Sequence, residues 1–172
     1  MTNIHHNNAS IAYAVVNLAM SMTTPGITAG ILSRAPGDGA GHITRELAMA
    51  LDMAILEIRM GQIEYHPGAL SLEIGEPFER AVSTGKPIMV ILDEAHAAPA
   101  GSIEAAMQII DKRIEGQPCA VLAITTSAGE NKIAQRMAAG MNWDTGRIAM
   151  HRTANENARL VEKFINANGL SS

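Results

Sequence analysis

The 172-residue chain has a single cysteine, Cys119, so it can build neither an intramolecular disulfide framework nor a multi-cysteine zinc site. Aromatic residues are scarce: one Trp, two Tyr and two Phe leave little material for stacking on nucleic-acid bases. Charge is modest and slightly acidic, with 13 Lys and Arg against 17 Asp and Glu, a formal net charge of -4. That is not the cationic footprint that neutralises phosphates, and nucleic acid is therefore not expected as a partner. No stretch approaches the roughly 18 consecutive apolar residues of a membrane-spanning helix, so no membrane association is expected. The opening Met-Thr-Asn-Ile-His-His-Asn-Asn lacks a basic region followed by an apolar one, which argues against a secretory leader. With these absences the cytoplasm of a bacterium, or of a phage-infected one, is the expected location. Lysine is missing altogether from Met1 to Gly85.

What remains is 47% apolar and 17% charged, enough hydrophobic material for one ordinary domain over residues 1–172. Short apolar runs alternate with helical patterns. Asn8 to Met22 has helical spacing and is closed by Thr23-Thr24-Pro25-Gly26. Ile27–Ser33 reads as the first strand, Arg34–Gly41 as a glycine-rich loop, and His42–Leu51 as a helix. Ala54–Met60 alternates as a second strand, Gly61–Gly75 reads as a loop containing Pro67, and Glu79–Ser83 as part of a short helix. Pro87–Leu92 and Cys119–Ile124 are bare apolar runs, the pattern of strands buried on both faces. Between them, Ser102–Ile114 carries Ile103, Ala106, Met107, Ile110 and Ile114 on one helical stripe. Ile133–Met141 reads as a helix, Arg147–Met150 as a fifth strand and Asn155–Asn168 as a last helix. Five strands separated by helices define an α/β domain with a parallel sheet.

In such sheets ligands sit outside the carboxyl ends of the strands. Two strand ends carry chemistry. After the first strand, a glycine-rich turn running into a helix makes a nest of main-chain amides suited to an anion. After Ile88–Leu92 come Asp93 and Glu94, a pair suited to holding a magnesium ion and orienting or deprotonating water. The same pair would also serve as a solvated cap and first-turn acid for the next helix.

With these residues in hand, the chain resembles the AAA+ ATPase core of the MoxR type, in its compact bacterial and phage form. Ala35-Pro36-Gly37-Asp38-Gly39 followed by Arg45-Glu46-Leu47-Ala48 is similar to that family's nucleotide loop and helix. Leu56-Glu57-Ile58-Arg59-Met60-Gly61-Gln62 is similar to its next strand and turn, and Ile91-Leu92-Asp93-Glu94-Ala95-His96-Ala97-Ala98-Pro99 to its Walker B segment. Ala123-Ile124-Thr125-Thr126-Ser127 falls where the sensor strand lies, and 154–170 resembles the opening of the lid. The resemblance covers about residues 25 to 170. It implies a three-layer P-loop core of five parallel strands ordered 5-1-4-3-2, with an N-terminal helix in 1–24, the core in 25–152, and a C-terminal helix in 153–172 as remnant of a largely missing lid. It also implies ATP or ADP with Mg2+ as cofactors, if any. In that reading Arg34, Pro36, Gly37, Asp38, Gly39, Ala40, Gly41 and His42 cradle the phosphates, and Asp93 holds the metal. Glu94 activates water, Thr126 senses phosphate, and Arg136 or Arg147 reaches into a neighbouring subunit of a homo-oligomer.

The departure from the family falls in the phosphate loop. In G-x-x-x-x-G-K-[ST] the lysine pairs with phosphate and the hydroxyl binds magnesium. Here the first glycine becomes Arg34, the lysine becomes Ala40 and the Ser/Thr becomes Gly41. Losing one charge-assisted contact costs about 1.5–3 kcal/mol. Two expectations follow: a weak or inactive nucleotide binder acting as an assembly, regulatory or scaffold subunit, or a working ATPase that remodels a partner protein. Arg34 is the available substitute cation; Thr44 lies one turn too late for metal.

Other features are weaker. Thr126 also suits a local strand-end bond, and Arg136 and Arg147 suit ordinary surface positions. Asp93-Glu94-Ala95-His96 spells a helicase box, but 172 residues cannot hold the two lobes that box requires. His5-His6 at a terminus, eleven methionines filling core gaps left by missing aromatics, and Cys119 as an inert thiol complete the reading.

Overall fold

A computed structural model of the chain describes residues 26–33, 40–140 and 146–151. The helices expected over 8–22 and 155–168, and with them the division into N-terminal helix, core and lid remnant, lie outside the described residues, as do His5-His6. Five strands are formed: β1 (Gly26–Ser33), β2 (Ala54–Arg59), β3 (Ile88–Asp93), β4 (Pro118–Thr125) and β5 (Gly146–His151). Helices are α1 (Ala40–Ala50), α2 (Pro67–Leu70), α3 (Glu76–Ser83), α4 (Ser102–Arg113) and α5 (Glu130–Gly140).

The strands are parallel and ordered β2-β3-β4-β1-β5. The two bare apolar runs take the central places their composition demands. Every residue of Ile88–Leu92 and of Cys119–Thr125 is buried. One face of the sheet presents Ile27, Ala29 and Ile31, then Cys119, Val121 and Ala123, then Ile88, Val90 and Leu92. Onto this face pack Ile74, Phe78 and Val82, then Ile103, Met107 and Ile110, then Ile133 and Met137. Met60, Met89, Met107 and Met137 are fully buried, as expected of a core short of rings. Helix α1 packs on the opposite side, against β2 and β3.

The stretch expected to be a loop, Gly61–Gly75, is largely helical. A 3₁₀ turn, Met60–Gln62, ends β2; then α2, a π-helical turn at Ser71–Gly75, and α3 run on without a break to Ser83. His66 caps the start, its Nδ1 accepting the Ala69 N–H at 3.2 Å, and Pro67 occupies the first turn, where its missing N–H costs nothing. The wide turn has a cause in the sequence. Ala69 and Leu70 are buried together with Ile74 and Gly75, five residues on, so a spacing of five keeps both pairs facing the core. The Glu76 N–H accordingly reaches Ser71 O, just ahead of Pro77, which has no N–H to give. At Gly75 the Arg113 guanidinium lies over the helix, 2.8 Å from where a Cβ would stand, a place a side chain could take only by displacing it.

Candidate functional site

Helix α1 follows β1 onto one face of the sheet, whereas α4 and α5, which follow β3 and β4, lie on the other. The crossovers diverge between β1 and β4, and the crevice at their carboxyl ends is where such sheets bind ligands. The loop residues Arg34, Pro36, Gly37, Asp38 and Gly39 lie outside the described residues. Ala40 and Gly41 open α1, two residues ahead of the expected start at His42. They therefore hold the first-turn positions at which the phosphate-loop pattern calls for lysine and a hydroxyl.

Asp93 is the last residue of β3 and is half-buried. Its Oδ1 accepts the Glu94 N–H at 2.9 Å. Burial pushes its carboxyl above the usual carboxylate range, and the negative charges of Glu94 and Glu57 push the same way; the Glu94 N–H and the Arg59 charge oppose them. Arg59 pairs in register with Asp93, and Glu57 with Ile91, so Asp93, Arg59 and Glu57 share the face that carries α1. From α1, Arg45 closes on Glu57, its Nη2 and Nε donating to the same oxygen at 2.6 and 3.0 Å.

Glu94 has left the strand and sits in the left-handed region, φ 52° and ψ 42°, which glycine tolerates and glutamate does not favour. A 3₁₀ turn, Ala95–Ala97, follows, its Ala97 N–H donating to Glu94 O at 2.9 Å. The Glu94 carboxylate lies over Gly61: a Cβ at 61 would stand 3.0 Å from its Oε2 and 3.1 Å from the Ala97 Cβ. Gly61 follows β2, which lies on the opposite side of β3 from β4 and β1. The carboxylate thus leans away from the crevice.

The other strand end is that of β4. The sequence singled out Thr126; the structure puts Thr125 in the more telling position. Thr125 is 2% exposed, and its Oγ1 has no hydrogen-bond partner among the described residues. It stands in register with Ser33 at the end of β1. Thr126 is half-buried, and its carbonyl accepts the Gly129 N–H at 3.0 Å. A Cβ at Gly129 would come within 2.7 Å of Thr125 Oγ1, 3.4 Å of His96 Cβ and 3.7 Å of Thr126 Oγ1, so the turns after β3 and β4 meet at this point. The signal for Thr125 was available in the strand's period of two: Cys119, Val121, Ala123 and Thr125 lie on one face.

Asp93, Glu94, Thr125 and Thr126 are thus gathered at the ends of adjacent strands. Arg136 is apart from them, six residues and about 9 Å of rise into α5, with its Nε 3.9 Å from Glu104 Oε1 of α4. Arg147 lies in β5, in register with Thr28 near the other end of β1. Burial pushes the Cys119 thiol far above its ordinary value, as an inert core residue requires.

No protein-family model and no curated protein matches the chain. Solved structures do. Cdc6p from Pyrobaculum aerophilum superposes with a TM-score of 0.59 at 10% identity, over 99% of this chain and 51% of that one. Drosophila ORC bound to GC-rich DNA and Cdc6 gives a TM-score of 0.59 at 14% identity, over 94% and 31%. Drosophila ORC bound to poly(dA/dT) DNA and Cdc6 gives 0.52 at 13% identity, over 87% and 29%. At such identities the likeness is one of fold: the parallel-sheet α/β fold of AAA+ P-loop NTPases. The chain spans about half the length of the first of these proteins and less than a third of the others. Two of them are described with DNA, so the expectation against nucleic acid draws no support from them. Among the described residues no helix is long and apolar enough to cross a membrane.

Proposed function

We propose that the chain is an AAA+-like subunit whose phosphate loop has decayed, a weak or inactive nucleotide binder that acts through assembly with its own copies or a partner protein. One observation carries this reading: α1 begins at Ala40-Gly41, so the first helical turn after β1 offers neither an ammonium for phosphate nor a hydroxyl for metal. The strand ends agree with it. Glu94 leans away from the crevice, and the Thr125 hydroxyl is closed beneath Gly129.

The donor set fits a magnesium ion on one side only. Asp93 is a half-buried carboxylate whose neighbours Glu94 and Glu57 add negative charge, which a divalent cation would relieve. Position 41, a glycine, brings no side-chain oxygen to complete the donor set. Were the ion bound, it would neutralise charge on a nucleotide's phosphates; Asp93 would hold it directly or through water, and Glu94 would orient the attacking water only after turning from Gly61.

The retained Asp93-Glu94 pair favours a second reading, a MoxR-like ATPase that remodels a partner. Calorimetry with ATP and Mg2+ separates the two. The first expects no saturable heat at micromolar nucleotide. Micromolar binding, with turnover abolished by Glu94→Gln, would refute it and establish the second.

A further inference from the structure

Glu104 lies in the first turn of α4, and its Oε1 is buried without a hydrogen-bond partner among the described residues. The cation facing it is Arg136 of α5, at 3.9 Å: too far for a hydrogen bond, near enough for attraction between charges. One turn further along the same face of α5, Gly140 meets the α4 main chain. A Cβ there would stand 2.5 Å from the Glu104 carbonyl oxygen and 2.7 Å from the Met107 Cβ. The two helices therefore cross backbone against backbone at Glu104 itself, and its carboxylate is confined beside the crossing.

We infer that Arg136 is an internal clamp. It neutralises Glu104 where α4 crosses α5, and it is thereby withheld from any neighbouring subunit. Removing one member of a confined ion pair costs more than the attraction lost, because the other charge is left behind in poor solvent contact. Drawing Arg136 outward to a second copy of the chain would strand Glu104 in this way. The side chains are 23% and 26% exposed, so water softens the penalty without abolishing it. The inference rests on the packing of two helices and stands whether or not nucleotide binds.

The test compares the clamp with a residue acting between subunits. For the clamp, Arg136→Met lowers the melting midpoint by about 3 °C or more, Arg136→Lys lowers it less, and Glu104→Gln combined with Arg136→Met recovers most of the loss. Self-association, followed by analytical ultracentrifugation, is unchanged in Arg136→Lys. A second readout covers the case in which Arg136→Met fails to fold: phenylglyoxal modifies Arg136 several-fold faster in Glu104→Gln than in the unaltered protein, read by mass spectrometry. An unchanged midpoint in Arg136→Met together with weakened self-association overturns the inference, as does an equal rate of modification with and without the Glu104 charge.

Discussion

Replacing Thr125 by valine should make the protein more stable. Thr125 Oγ1 is closed from solvent and bonded to nothing among the described residues, in a side chain that is 2% exposed. A buried hydroxyl without a partner costs about 1–3 kcal/mol relative to one left in water. Valine keeps the branched shape and β-strand preference while putting a methyl where the hydroxyl was. The residue ends β4, packed beneath Gly129, so the new methyl fills the same space. A gain of about 1 kcal/mol is expected, taking the lower end because the tight approach to Gly129 leaves little slack. In a chain of this size that raises the melting midpoint by about 2–4 °C. Thermal unfolding followed by circular dichroism, with a urea titration at 25 °C, measures both. Thr125→Ser, which keeps the hydroxyl and loses the methyl, should fall by about 0.5–1 kcal/mol. Thr126→Val, at the half-buried neighbour, should change stability by less than about 0.5 kcal/mol. A midpoint for Thr125→Val at or below that of the unaltered protein would refute the reasoning, since it would mean that the hydroxyl has a partner.

Glu94→Gly should also stabilise, by about 0.5–1 kcal/mol, because glycine occupies φ 52° without the left-handed penalty; a lower midpoint would show that the carboxylate's seat over Gly61 outweighs the strain. Asp93→Asn tests a pH dependence. The folded state holds the Asp93 proton more tightly than the unfolded state does, so stability falls as pH rises from the ordinary aspartate value of 3.8 through the raised one, and the penalty persists at neutral pH. Asp93→Asn should therefore raise the midpoint at pH 7, with the gain vanishing below pH 3.8; an equal gain at every pH would contradict this. Gly140→Ala should destabilise by about 1–3 kcal/mol despite alanine's better helix propensity, since its methyl would meet the Glu104 carbonyl and Met107; urea unfolding gives the number. A double-mutant cycle on Arg45 and Glu57, whose side chains are 43% and 22% exposed, should return a coupling of about 0.5–1 kcal/mol, and none at all would mean that the pair does not tie α1 to β2.

The parallel sheet could be read from the chain because its signals are local: Ile88–Leu92 and Cys119–Ile124 have no polar residue to place, so they can only be central strands. Strand order could not come from local pattern and rested on the resemblance, with which the observed order agrees. The helical run from Pro67 to Ser83 was hidden by its own punctuation. Pro67, Gly68 and Gly75 lie in the stretch read as a loop, and the features that accompany its helical backbone are the His66 cap, the five-residue spacing of buried pairs and the Arg113 side chain over Gly75. The last depends on α4, far along the chain. The same limit applies to Arg136, whose partner Glu104 is 32 positions away, and to Glu94, whose left-handed backbone follows from the turn into Ala95–Ala97 and the room at Gly61. Asp93 was legible as a strand end, whereas Thr125 required counting the period of β4 one residue further.

The features that oppose stability are not scattered. Glu94 in a left-handed backbone, Asp93 with its carboxylate disfavoured by burial, and Thr125 with an unbonded hydroxyl all stand at the carboxyl ends of β3 and β4, while the rest of both strands is buried among aliphatic side chains. Local conflicts persist in a fold when they serve a site, or when the site that once used them has been lost too recently for substitution to remove them. The two cases differ in what relief would cost. In a working site, the combined Asp93→Asn, Glu94→Gly and Thr125→Val variant gains stability and loses ligand affinity together. In a relic it gains the same stability and loses nothing, since Ala40 and Gly41 have already removed the grip on phosphate. Self-association of that triple variant is the informative measurement: the scaffold reading requires it to persist undiminished, because assembly then draws on surfaces of the fold and not on a nucleotide held between subunits.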